Sequence, residues 1–161
     1  MQNKAQLLQQ FDQARGKMRE ALPGIDLRLE IYPAWTIKDV LAHLAGWDDA
    51  TIAALKAFVA GDAPPVPAVV GIAVYNAQTV AERTALDYEH IVKEWEWVRE
   101  QLKALVSELP PEKLEATIVS PWGPPMTVVQ LITVMTNHEE EHAVHIQAQR
   151  ANPGQPPRAH G

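Results

Sequence analysis

The stretch that most constrains this chain runs from Met126 to Arg150, which reads as one long helix. Thr127 and Gln130 have the spacing of a capping box, in which each side chain satisfies a free amide of the first turn. Leu131, Met135, His138, His142 and Ile146 then recur at intervals of three and four, the period of one helix face. The first part of that face is apolar and belongs in a core. The next two turns put His138 and His142 on it, and imidazoles four apart on a helix can both reach one metal ion. Taken alone, such a pair is more often two part-buried histidines, each bonded to a neighbour.

A third histidine in a matching setting shifts that balance. The segment Trp35-Thr36-Ile37-Lys38-Asp39-Val40-Leu41-Ala42-His43-Leu44 opens another helix, with Thr36 as N-cap and Asp39 three residues on. His43 follows its cap by seven residues and His138 follows its own by eleven, close to two and three whole turns. Each imidazole therefore points nearly where its N-cap points. If the two helices pack by these faces, the three histidines can converge.

The rest of the chain sets limits on what such a site can be. A length of 161 residues, 47% hydrophobic, fits one globular domain with a sizeable core. No apolar run approaches the ~20 residues that span a bilayer, and the N-terminus lacks the apolar segment of a signal peptide, so a cytoplasmic protein is expected, without a membrane role. With no cysteine there is neither a disulfide nor a protein thiolate. The net charge of −6 and the lack of a basic stripe disfavour nucleic acid as a partner. Acidic residues near the histidines (Asp39, Asp48, Glu139, Glu140, Glu141) favour cations locally. Most of them read as solvated surface charges, Glu140 more so than Glu141.

In order, helices are expected near 3–22, 36–60, 70–109 (bent near 79–84) and 127–150. Their apolar stripes include Leu7, Phe11 and Met18 in the first, Val40, Leu44 and Leu55 in the second, and Ile91, Trp95 and Leu102 in the third. Trp35 reads best as an apolar staple onto the second helix. Gly46 costs that helix ~1 kcal/mol relative to alanine; it either admits a close neighbour or is a tolerated surface glycine. Pro64, Pro65 and Pro67 make a stiff connection between helices two and three. Residues 118–125 form an extended, rigid segment that delivers Trp122 to the start of the last helix. Trp47, Tyr75, Asn76 and Trp122 are candidate pocket walls, while Trp97 and His90 fall off the buried stripe. The tail at 151–161, including His160, is expected to be disordered and without a role.

Four helices, the motif Trp-Thr-Ile-Lys-Asp-Val-Leu-Ala-His-Leu opening the second, and His-x3-His in the last together resemble the DinB-like superfamily, over residues 1–150. The resemblance implies an all-α four-helix bundle, here with a Pro-rich connection between helices 2 and 3, and a divalent metal held by His43, His138 and His142. Characterised members include S-transferases that use low-molecular-weight thiols and a mycothiol-dependent maleylpyruvate isomerase, and a related branch protects bacteria against a genotoxin. Related bundles often dimerise, so a homodimer is part of this expectation. One position departs from the family pattern: His145 stands where glutamine is common. His145 lies on the inward side of the helix, so His142/His145 is a rival metal pair, or His145 supports a ligand from outside the metal's own contacts or faces the substrate.

Three neutral imidazoles leave at least one position open for water or substrate, the arrangement of a catalytic site. Zinc or nickel suits such nitrogen ligands first, with iron, cobalt and manganese as alternatives. A metal there lowers the pKa of bound water towards ~7 for hydrolysis, or takes an external thiol as cosubstrate for transfer to a small electrophile, in stress response or detoxification. Glu141 or Asp48 is placed to orient a ligand imidazole through its second nitrogen. The alternative is a non-catalytic bundle that binds or sequesters a metal or ligand.

Overall fold

The computed structural model describes residues 3–155. Among them the chain is mostly helical: α1 (Lys4–Ala21), α2 (Ile37–Ala60), α3 (Ile72–Ala81), α4 (Tyr88–Glu108) and α5 (Val128–Ala151). The all-α bundle expected from the apolar stripes is what forms. α1 lies along α5 and α2 along α4. No helix among the described residues is long and apolar enough to cross a membrane.

Two helix starts follow from their caps. Asp39 Oδ2 accepts from the Thr36 amide at 2.9 Å and its hydroxyl at 3.2 Å. Thr127 and Gln130 make the reciprocal pair, at 2.8 and 3.1 Å. These caps matter here because the phase of His43 and His138 is counted from them.

The third expected helix is two. α3 ends at Ala81 and α4 begins at Tyr88, so a full break replaces the expected bend. Asp87 supplies the reason: its side chain accepts from the His90 amide and starts a new helix. Arg83, in the turn between them, bonds Asp49 at 2.9 Å and ion-pairs with Glu94. His90 and Trp97 are exposed, Trp97 by 63%.

Both long connections contain small antiparallel hairpins. β1 (Glu30–Tyr32) pairs with β2 (Trp35–Thr36), turning through Pro33 and Ala34, the latter with a positive φ of 66°. β3 (Thr117–Val119) pairs with β4 (Pro125–Thr127), Ile118 opposite Met126, and its loop carries Trp122 to the start of α5. Ala151 closes α5, and Asn152–Gln155 form a turn. The rest of the expected tail, with His160, lies outside the described residues.

The interior is layered. One apolar cluster gathers Met18, Ile31, Leu41, Leu44, Trp95 and Ile146. Another gathers Leu7, Phe11, Leu55, Leu102, Leu131 and Ile132. Between these, on each of the four long helices, sits one buried charged residue: Arg15, Asp48, Arg99 and Glu139.

Gly46 is buried rather than superficial, because α3 lies against it. A Cβ at this position would overlap Thr79 Cγ2 and stand 2.6 Å from Thr79 Cβ. Thr79 is branched at Cβ and buried, so the helix itself has to move. Gly46→Ala is therefore expected to lose about 1 kcal/mol or more, the overpacking cost outweighing the gain in helix propensity. Urea unfolding midpoints of the two proteins test this, and a more stable variant would refute it.

Candidate metal centre

Helix phase does bring the three predicted histidines together. His43 Nε2 lies 3.1 Å from His138 Nε2, and His142 Nε2 lies 2.9 Å from the same atom. One nitrogen from each of the three falls within 4.8 Å of the others. His43 and His142 are fully buried and His138 is half-buried, so His138 is the accessible edge of the cluster. The rings meet edge to face, His138 and His142 at 4.4 Å and 70°.

The cluster suits a cation better than it suits itself. His138 Nε2 is within hydrogen-bond reach of two nitrogens of its own kind, yet it carries at most one proton. Three nitrogens bound tetrahedrally at ~2.0–2.1 Å stand roughly 3.3 Å apart, near the observed spacing. The donor set is therefore one that fits a divalent metal.

Two aromatic residues from the first hairpin frame the site. Trp35 lies 5.1 Å from the His43 ring, so it covers the cluster as well as packing on the first core layer. That is closer to the histidines than a staple alone requires. Tyr32 also stands at the cluster, a position that sequence reasoning did not give it. Its hydroxyl is 2.6 Å from His142 Nδ1 and 2.7 Å from His145 Nδ1. Burial, assisted by the charge of Glu141, raises the phenol pKa, so the hydroxyl keeps its proton. His145 thus bonds Tyr32, and it is His43, not His145, that joins the pair on α5.

The two acidic candidates part company. Both oxygens of Asp48 accept from Arg99, at 2.9 and 3.2 Å, so the imidazole partner here is Tyr32 rather than Asp48. Glu141 is exposed, at the rim of the cavity described below. Glu140 pairs with Lys17 at 2.9 Å on the surface. Glu139 turns into the core, where it accepts from Arg99 at 2.6 Å, Arg15 at 3.1 Å and Trp95 at 3.0 Å. Burial opposes its ionisation, but the two guanidinium groups and these bonds outweigh burial and hold its pKa below the usual value. A signal for this network existed in the sequence. Arg15 follows Phe11 by four and Arg99 follows Trp95 by four, so both arginines are in register with the apolar stripes.

An apolar cavity of about 540 Å³ opens beside His138. Trp47, Trp122, Met126 and Met135 supply its apolar walls, and Asn137, His138 and Glu141 its polar edge. The indoles of Trp47 and Trp122 meet at 5.8 Å and 76°. Tyr75 and Asn76 do not line it. They pin α3 instead: the Tyr75 hydroxyl donates to the Gly46 carbonyl at 2.7 Å, and Asn76 Oδ1 accepts from Trp47 Nε1 at 2.7 Å. Asn76 therefore sets the orientation of a wall without being one.

The comparisons agree with this architecture. An uncharacterised protein from Escherichia coli UTI89 superposes with a TM-score of 0.75 at 17% identity, over 96% of this chain and 98% of that one. A Streptococcus pneumoniae protein gives 0.78 at 14% identity, over 94% and 92%. A mycothiol-dependent maleylpyruvate isomerase gives 0.75 at 15% identity, over 90% of this chain but 61% of that one. At such identities the likeness concerns the fold. No curated protein matches the chain in sequence. The family model described as DinB superfamily matches residues 10–146, nearly the whole of the described chain, and this protein belongs to that superfamily.

Proposed function

We propose that this protein is a metal-dependent enzyme that joins a low-molecular-weight thiol to a small, largely apolar electrophile, in detoxification or stress response. The observation that carries the proposal is the convergence of three Nε2 atoms at the wall of an apolar cavity, with only His138 at the open side. His43, His138 and His142 are the proposed ligands, and zinc or nickel is the first expectation. A divalent cation held there supplies Lewis-acid chemistry that lowers the pKa of a thiol or water it binds. Because the chain has no cysteine, the sulfur nucleophile has to arrive as a cosubstrate. A thiol-dependent isomerase among the proteins of like fold supports that choice over hydrolysis.

The chain's own residues do the rest. Trp47 and Trp122 receive the apolar body of the electrophile and exclude water from it. Asn137 and Glu141 offer polar contacts at the mouth, next to His138. The cavity is within the size range of small-molecule sites.

Metal analysis of protein purified without an affinity tag, followed by a screen of thiols with electrophiles, tests the proposal. One equivalent of metal per chain is expected, with turnover lost on chelation and restored by the metal. Ligating imidazoles must be deprotonated, so metal affinity should fall as pH drops through the range near ~6.5 where imidazoles titrate. Turnover of the electrophile without any thiol would redirect the reading to hydrolysis. Tight metal or ligand binding without turnover would favour a sequestering bundle.

A further inference from the structure

Tyr32 joins two histidines that play different parts. It is 5% exposed, held by β1 against the middle of α5, and its ring stands edge-on to both imidazoles. The separations are 5.4 Å and 80° for His142, and 5.6 Å and 85° for His145. Its hydroxyl is within hydrogen-bond distance of both Nδ1 atoms, 2.6 Å for His142 and 2.7 Å for His145.

A phenol has one proton to give and lone pairs to accept with. Between two imidazole nitrogens it donates to one and accepts from the other. Which way round this runs depends on the metal reading above, on which the inference rests. His142 directs Nε2 at the cluster. If Nε2 binds a cation, the one proton of neutral His142 is on Nδ1, and that N–H donates to the phenol oxygen. The phenol proton then goes to His145 Nδ1. His145 Nδ1 must be bare, and a neutral His145 carries its proton on Nε2.

We propose that Tyr32 is a positioning residue that holds His142 in its metal-binding tautomer. In the same proposal His145 is the terminal acceptor of a one-way hydrogen-bond chain, from His142 through Tyr32. Because the phenol has one proton to donate, its donation to His145 and acceptance from His142 put the two histidines in opposite tautomers. A carboxylate in place of the phenol would accept from both rings and impose no such opposition, and it would add a buried charge. The chain also gives His145 a role that needs no ligation: it fixes the direction in which the phenol points.

The test uses the full chain with zinc and compares wild type, Tyr32→Phe and His145→Ala. Zinc affinity is measured by competition with a chromophoric chelator, and imidazole tautomers are assigned by 15N NMR of the zinc-loaded protein. In the wild type, His142 should be protonated at Nδ1 and His145 at Nε2. Tyr32→Phe should weaken zinc roughly 10–100-fold, as loss of an outer partner of a metal-bound histidine does, and His145 should lose its single tautomer. His145→Ala leaves the Tyr32 oxygen available to His142 and should weaken zinc less than Tyr32→Phe does. Unfolding midpoints of the metal-free proteins separate loss of packing from loss of positioning, since packing alone would not set a tautomer. A His145 proton on Nδ1 in the loaded wild type, or unchanged zinc affinity in Tyr32→Phe, overturns the chain while leaving the metal reading intact. A wild type that binds no zinc or other divalent metal overturns both.

Discussion

Arg99→Ala is expected to destabilise the protein by about 3–5 kcal/mol, the usual consequence of removing one partner from a buried ion pair. Arg99 is 2% exposed and serves two carboxylates at once, both oxygens of Asp48 and one of Glu139. Its guanidinium also lies 4.8 Å from the Phe11 ring centre. Glu139 would keep Arg15 and Trp95. Asp48 would be left with Arg15 at 4.0 Å. The loss should depend on pH in a definite direction. Burial raises the pKa of Asp48, against the pull of Arg99, and without Arg99 it rises further. A carboxyl whose folded pKa stands above its unfolded value penalises the fold when ionised, and the penalty is relieved as pH falls through the folded pKa. The difference from wild type should therefore narrow below neutral pH. Urea unfolding of both proteins at several pH values measures this, and a loss under ~1 kcal/mol at neutral pH would mean that the network contributes little.

His138→Ala and His43→Ala are each expected to abolish stoichiometric metal, a larger effect than the roughly 10–100-fold cost of an outer-partner change. Each removes one of the three nitrogens that converge among the described residues. Helix content should stay nearly intact, because both apolar clusters are built from other residues. His145→Ala should retain the metal, since the His145 Nδ1 bonds Tyr32. Metal titration with circular dichroism separates these cases. Metal lost with His145→Ala and kept with His138→Ala would show that the rival pair is the true one, and equal affinity in all three would remove the site.

Much of this was legible in the chain itself. The capping boxes at Thr36 and Thr127 and the stripes of α1, α2, α4 and α5 are local features, set by spacing within a few turns. Counting whole turns from each cap was enough to aim His43 and His138 alike. Local spacing was also enough to place Trp122 on a loop near the start of α5. It was less reliable where local signals compete. The segment at 70–109 looks continuous in its apolar pattern, but Asp87 caps a second helix and splits it.

What the sequence by itself determined is the helices that carry their own caps at Thr36 and Thr127, which faces of those helices are apolar, and in what phase the histidines leave them. These depend on interactions within one or two turns, so their spacing is visible in the order of the residues. Only the tertiary structure decided which partners meet across helices. Tyr32 stands 110 positions from His142, and no periodicity links a hairpin to a helix so distant. Asp48 and Glu139, alike as acidic neighbours of histidines, were drawn to two buried arginines because ions in a dry core must pair there. Glu141, two residues on and so pointing away from Glu139 on the same helix, met no such demand and stayed at the cavity rim.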